Sequence, residues 1–190
     1  TISAQANALE ALMAHLGVFS CHLLAHDYGD TVAQELLLRQ SEGRLLFQVE
    51  SCCFLNGGMF NGAYFPLRVQ KLLAGPLGPI ATRFMNYRLF KRNFVKIFAP
   101  ATRPDEMVLR QFWNLIRQNG GLKLAPKLLQ YLKERKAKND SWLRGMLNAQ
   151  VPLKLINGAD DPISGRHMAT AFQQQVPHAD VTVLEGVGHY

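Results

Sequence analysis

The stretch Ala25-His26-Asp27-Tyr28-Gly29 constrains the fold more than any other part of the chain. It sits between a short apolar run ending at His26 (HLLAH) and a helical pattern from Thr31 to Gln40 (TVAQELLLRQ). A strand that turns straight into a helix strains its corner residue, and small residues two before and two after leave it room. Ala25 and Gly29 are the small residues around Asp27. The carboxylate is then expected at the carboxyl end of a strand, beside the positive end of the following helix. The same five residues are also compatible with a plainer role, an aspartate capping a helix in an ordinary loop.

The flanking patterns extend this grammar. Residues 2–16 (ISAQANALEALMAHL) carry apolar positions at helical spacing, and Phe47 to Leu55 (FQVESCCFL) reads as a strand stopped by Asn56-Gly57-Gly58. Helix, strand, sharp turn, helix, strand is the βαβ order of a parallel sheet. From about Tyr64 to Gln150 the pattern becomes helices broken at Gly75-Pro76, Gly78-Pro79, Pro100, Arg103-Pro104 and Gly120-Gly121. Strand signals return at Val151–Asn157 and Val181–Leu184, with a helix from Met168 to Gln175 between them. The predicted organisation is α/β: a core part over 1–62, an inserted helical cap over 63–150, and the rest of the core over 151–190.

Charge divides the chain at the same places. Residues 64–145 hold 17 Lys and Arg against 4 acids, whereas the remainder holds 4 basic residues against 10 acids. The first strand signal comes at residue 21, and the chain stops one residue after His189. The expectation is therefore a fragment of a larger fold, lacking N-terminal strands and a last helix.

With 190 residues, 48% hydrophobic and 18% charged, the chain can bury a real core. No apolar run approaches the roughly 20 residues of a membrane-spanning helix. Residues 1–19 lack the basic-then-apolar order of a signal peptide. Cys21, Cys52 and Cys53 lie in apolar runs without metal or redox spacing, so they read as reduced core residues and no metal is expected. A cytoplasmic location follows, or one at the surface of an internal membrane.

Two later features bear on Asp27. Asp161 follows a strand in Gly158-Ala159-Asp160-Asp161-Pro162, and His189 follows another in Gly186-Val187-Gly188-His189. Reactive group, acid and histidine thus each come at the end of a strand-like run, and such ends gather at one rim of a parallel sheet. Asp27, Asp161 and His189 are the predicted catalytic set, with the Tyr28 N–H as one oxyanion donor. Asp160 competes with Asp161 for orienting the histidine and reads as solvated or capping. His26 is expected to point away from the reactive side and to pack or hydrogen-bond. His15, His22, His167 and His178 read as structural or surface residues.

At these positions the sequence resembles the α/β-hydrolases, in particular the branch of epoxide hydrolases and haloalkane dehalogenases that uses H-D-x-G around an aspartate nucleophile. More closely, it is similar to the mesoderm-specific transcript family. The similarity lies in His26-Asp27-Tyr28-Gly29-Asp30-Thr31-Val32-Ala33-Gln34-Glu35-Leu36-Leu37, and in Asn56-Gly57-Gly58, Arg83-Phe84-Met85-Asn86, Thr102-Arg103-Pro104 and Leu128-Leu129-Gln130-Tyr131. It runs from about residue 20 to the end of the chain.

The resemblance implies an α/β-hydrolase fold and a hydrolase without cofactor. Asp27 would form an alkyl-enzyme ester on a small hydrophobic, epoxide-like substrate, and His189, held by Asp161, would activate water. The second oxyanion donor would come from an upstream loop. Tyrosine replaces the usual tryptophan at Tyr28, which argues against dehalogenation. Cap tyrosines would protonate the epoxide oxygen, with Tyr87 and Tyr131 the preferred pair and Tyr64 a further candidate. An esterase or acyltransferase ranks lower, because aspartate attack on an ester would give an anhydride. The competing reading is a catalytically silent protein that meets anionic membrane surfaces through its basic cap, notably Lys133-Glu134-Arg135-Lys136-Ala137-Lys138. Nucleic acid is not an expected partner, since no aromatic residues interleave the basic ones. Oligomeric state is left open.

Overall fold

In the computed structural model, which describes residues 1–190, helix α1 (Ile2–Leu16) precedes a βαβ unit of β1 (Ser20–His26), α2 (Tyr28–Ser41) and β2 (Gln48–Leu55). Six helices follow: α3 (Arg68–Ala74), α4 (Gly78–Ala81), α5 (Tyr87–Phe94), α6 (Glu106–Arg117), α7 (Gly121–Leu128) and α8 (Tyr131–Leu147). The chain returns to the sheet through β3 (Leu153–Gly158), α9 (Arg166–Gln175) and β4 (Asp180–Leu184). All four expected strands form. Helix α2 begins at Tyr28, directly after Asp27, so the strand-to-helix corner is tighter than the periodicity alone suggests.

The strands lie in the order β1-β2-β3-β4, every neighbouring pair parallel. Their register pairs His26 with Leu55, Leu55 with Ile156, and Gly158 with Leu184. The carboxyl ends of all four strands therefore line up along one rim, which is where the segments carrying Asp27, Asp161 and His189 leave the sheet.

Alternation along the central strands builds the core beneath that rim. Phe54, Leu153 and Leu155 point inward and meet Leu36 and Leu37 of α2 and Phe172 of α9 in one apolar cluster. Fully burying side chains of this size contributes about 1.5–3 kcal/mol each. Cys52 is buried in the same cluster and all three cysteines are free.

Helix α2 is buried on more than one side, so it also carries charge inward. Glu35 and Arg39 are 2% and 6% exposed, and they are paired. Arg39 Nε donates to Glu35 Oε1 at 3.0 Å, its Nη1 bonds Glu10 of α1, and Trp142 Nε1 of α8 donates to Glu35 Oε2 at 2.8 Å. Burial alone would raise the Glu35 pKa, but the bonds from Trp142 and Arg39 and the charge of Lys138 leave it below the usual carboxylate value. The network ties α1, α2 and α8 together.

Close packing of α8 on α2 depends on a glycine. A Cβ at Gly145 would lie 2.6 Å from Leu38 Cα and 2.7 Å from Leu38 N, both backbone atoms that cannot yield. Gly145→Ala is expected to lower stability by about 1–3 kcal/mol, because α8 must lift off α2. Urea unfolding checks this, with a lowered midpoint expected.

Candidate active site

Asp27 occupies the corner between β1 and α2 with φ 51° and ψ −105°. A non-glycine residue there carries strain of about 1–3 kcal/mol, held because its surroundings fix it. Its N–H donates to Leu55 O at 3.2 Å, which clamps the corner to β2. The side chain makes no capping bond to α2, although it stands at the capping position, and it is 44% exposed. The cap role that the pentapeptide leaves open is therefore not the one its carboxylate takes. The demand for small neighbours proves mild: a Cβ at Gly29 would meet Ala25 Cβ at 3.8 Å, an ordinary contact.

His189 and Asp161 face this carboxylate from the ends of β4 and β3. His189 Nδ1 lies 2.8 Å from Asp161 Oδ2, and its Nε2 lies 3.7 Å from Asp27 Oδ2. The histidine and Asp161 side chains are 3% and 0% exposed. Their approach is possible because two glycines meet: a Cβ at Gly158 would strike Gly188 O at 2.2 Å. The His189 N–H donates to Ile97 O at 2.7 Å, so the segment after α5 also fixes the histidine loop. Asp160 is exposed, and only its backbone takes part, the N–H donating to Val187 O of the histidine loop at 2.9 Å.

Asp161 is held from several directions. Its Oδ1 accepts from the Ile163 N–H at 2.8 Å, and its Oδ2 lies 3.1 Å from the Asn56 Nδ2 donor and 2.8 Å from Ser164 Oγ. Burial would raise its pKa, but the bond and charge of His189 and the Ile163 and Asn56 donors hold it below the ordinary value. Burial likewise pulls His189 down, yet its bond to Asp161 and the nearby Asp27 carboxylate, with the charges of both, bring it up to about 9. The imidazole is therefore a cation at neutral pH in the resting site. Its raised pKa adds stability that is complete below the unfolded value near 6.5 and is lost as pH rises through about 9. We expect an NMR titration of His189 centred near pH 9, and a lower midpoint in Asp27→Asn, which removes one of the two negative neighbours.

Three residues to which pattern reading gave no role in the chemistry complete the site. Asn56 has φ 48° and closes the end of β2, where its Oδ1 accepts from the Gly158 N–H at 2.9 Å. Asn before Gly-Gly at a strand end was the available signal for it. Ser164 and Tyr190 carried none beyond lying near Asp161 and His189. His26 Nε2 lies 3.1 Å from the His189 carbonyl oxygen, so it donates a proton there and braces the histidine loop.

A cavity of about 330 Å³ opens over Asp27 and His189. Its walls are mainly apolar, including Leu73, Phe90, Phe94, Trp113 and Tyr190. Neither Tyr87 nor Tyr131, the preferred substrate-binding pair, lines it. Tyr87 packs against Trp113 beneath the Arg110 guanidinium, whose carbon is 4.8 Å from the ring centroid. Tyr131 is buried between Tyr28, at 4.9 Å, and the guanidinium of Arg135, also 4.8 Å from its ring centroid. Tyr64 shares that guanidinium at 5.0 Å. Sequence spacing could not tell a tyrosine behind the corner from one in front of it. Tyr28 is the first residue of α2, so its N–H is among the donors that a helix start leaves without an internal partner. No three His, Cys, Asp or Glu side chains come together to hold a metal ion.

A parallel sheet with a corner carboxylate, a histidine and a second carboxylate at its rim is the layout of one large hydrolase class. The α/β hydrolase family model matches residues 1–190, and the chain belongs to that family. Among curated proteins it is similar to the mesoderm-specific transcript homolog protein of Bos taurus, at 39% identity over 197 residues. That match covers 100% of this chain and 59% of the relative, so the chain spans less than two thirds of that protein's length. Among solved structures it is similar to the haloalkane dehalogenase DbeA of Bradyrhizobium elkani, with TM-score 0.78, 17% identity, and coverage of 100% of this chain and 67% of that one. The epoxide hydrolase CorEH superposes with TM-score 0.68 at 18% identity, over 97% of this chain and 66% of that one. At such identities the two structures establish the shared fold alone.

Proposed function

We propose that the full-length protein hydrolyses an epoxide or a related strained electrophile on a hydrophobic carbon skeleton, through an ester on Asp27. The observation that carries this reading is an aspartate at the strained corner, 3.7 Å from the buried His189 and open to an apolar cavity. A carboxylate needs no base to attack carbon, so the separation from Nε2 costs the first step nothing. One Asp27 oxygen bonds to the epoxide carbon, the carbon–oxygen bond of the ring breaks, and the freed oxygen takes a proton. The Tyr190 hydroxyl is the phenol on the cavity wall and is the donor we assign, ahead of Tyr87 and Tyr131.

Ester formation consumes the charge on Asp27. The pKa of His189 then falls, since one of its two anionic neighbours has been neutralised. The imidazolium proton passes to the Tyr190 phenolate left by ring opening, whose ring is 4.8 Å from the imidazole, and the neutral histidine is then a base with Asp161 still orienting it. It takes a proton from water as the water oxygen adds to the ester carbonyl. The oxyanion would be met by the Tyr28 N–H. Collapse releases the diol and restores the carboxylate. An acyl substrate fits less well, because attack by Asp27 would give an anhydride.

A panel of epoxides, haloalkanes and nitrophenyl esters offered to the full-length protein separates these chemistries. Turnover of epoxides to diols supports the reading; ester cleavage that survives Asp27→Ala contradicts it.

A further inference from the structure

Residues 67–84 and 121–133 contain six Lys and Arg and not one Asp or Glu. Helices α3, α4 and α7, with the turn at Thr82–Phe84, pack on one another and form a single face of the cap. Gly78 lets the face close tightly, since a Cβ there would lie 2.0 Å from Leu73 O and 3.2 Å from Pro126 Cβ. Gln130 Nε2 bridges it, donating to Ala74 O at 3.3 Å and Pro126 O at 2.9 Å.

Large apolar side chains stand out from this face. Leu72, Leu77, Ile80 and Phe84 are 49–73% exposed, and Leu124 and Leu128, 48% and 61% exposed, stand at its edge on a recess shared with Thr1, Gln5 and Tyr28. None of the six cations around them takes part in an ion pair, whereas Lys91 and Arg110 nearby are both bonded to Glu106. The same helices turn their other sides into the cavity above Asp27, through Val69 and Leu73 of α3 and Leu122 and Ala125 of α7.

We propose that this α3–α4–α7 face docks on an anionic phospholipid bilayer, its lysines and arginines meeting headgroup phosphates and its leucines and phenylalanine entering the interface. Exposed aliphatic side chains set among unpaired cations match both layers of such a surface. A nucleic acid would call for polar or stacking groups where, Phe84 apart, these aliphatic ones stand. Docking itself does not depend on the catalytic reading.

The α8 run from Lys133 to Lys138 is a poorer candidate than its composition suggests. Arg135 is 2% exposed and stacked on two tyrosine rings, and Lys138 is bonded to Glu35 and Ser3. No helix of the protein is long and apolar enough to cross a membrane, so α3, α4 and α7 would lie on the surface.

Co-sedimentation of the full-length protein with phosphatidylcholine vesicles, with and without phosphatidylserine, tests the proposal. Binding is expected only with phosphatidylserine and should fall at high salt. The triple variant K71E/K123E/K127E should bind at least about 100-fold more weakly, and L124N/L128N about 10-fold more weakly. K136E, on α8, should bind as the parent does. A tryptophan placed by L124W should shift its fluorescence to the blue on vesicles. Equal binding by the triple variant, a loss confined to K136E, no binding to phosphatidylserine vesicles, or tighter binding to an oligonucleotide would each overturn it.

Discussion

Asp27→Ala and Asp27→Asn in the full-length protein are expected to remove turnover, with kcat lower by at least about 10⁴-fold. Amide nitrogen and a methyl group cannot form the ester, and the neighbouring Asp30 carboxylate is fully buried behind the corner, where it accepts from the Leu55 N–H. The fold should survive. The Asp27 side chain makes no capping bond and is 44% exposed, so little packing is lost. Asp27→Gly is the sharper version. Glycine adopts φ 51° without the penalty an aspartate carries there. That variant should be inactive and yet more stable than the parent by about 1 kcal/mol. A rise in melting temperature alongside lost activity would identify strain kept for chemistry rather than for folding.

Asp161→Asn is expected to lower kcat by about 10²–10⁴-fold while leaving KM within a few-fold. The carboxylate is fully buried and bonded to His189, the Ile163 N–H, Asn56 and Ser164. An amide cannot accept from every one of these donors, and it no longer selects the His189 tautomer with its proton on Nδ1. Removing the charge also lowers the His189 pKa, so the resting imidazole should titrate well below about 9. Stability should fall by about 3 kcal/mol, the scale for breaking a buried charged pair. Because the folded carboxyl pKa lies below its usual value, this contribution is present above about pH 4 and is lost on further acidification through the folded pKa. Urea unfolding of parent and variant at pH 7 and at acid pH checks the sign: the difference should shrink as pH drops.

The corner, the strand ends and the three charged residues were readable because each is a local event in the chain. Small residues flank Asp27, Gly-Ala-Asp-Asp-Pro ends β3, and Gly-Val-Gly-His follows β4. Parallel registry then does the remaining work, since strands paired as His26–Leu55–Ile156 must release their loops on one side. What the sequence did not reveal is what depends on packing between helices. Tyr131 looked like a cavity residue and is instead stacked beneath Arg135, while Phe90, Phe94 and Trp113, ordinary apolar positions in pattern, form the wall. The basic run on α8 looked free, yet the buried Glu35 of α2 binds one of its lysines. Short helices broken by glycine and proline announce that a cap exists. They do not announce which side of each helix faces inward.

The ester on Asp27 is the central claim, and a single turnover in heavy-oxygen water tests it most directly. Excess full-length protein is mixed with styrene oxide as probe, quenched after one cycle, digested, and the peptide bearing Asp27 is weighed. If water attacks the Asp27 ester carbonyl, heavy oxygen enters the Asp27 carboxylate and the first diol formed carries none. Label in the diol, with Asp27 unchanged, would mean that water attacks the substrate directly and that Asp27 is not the nucleophile.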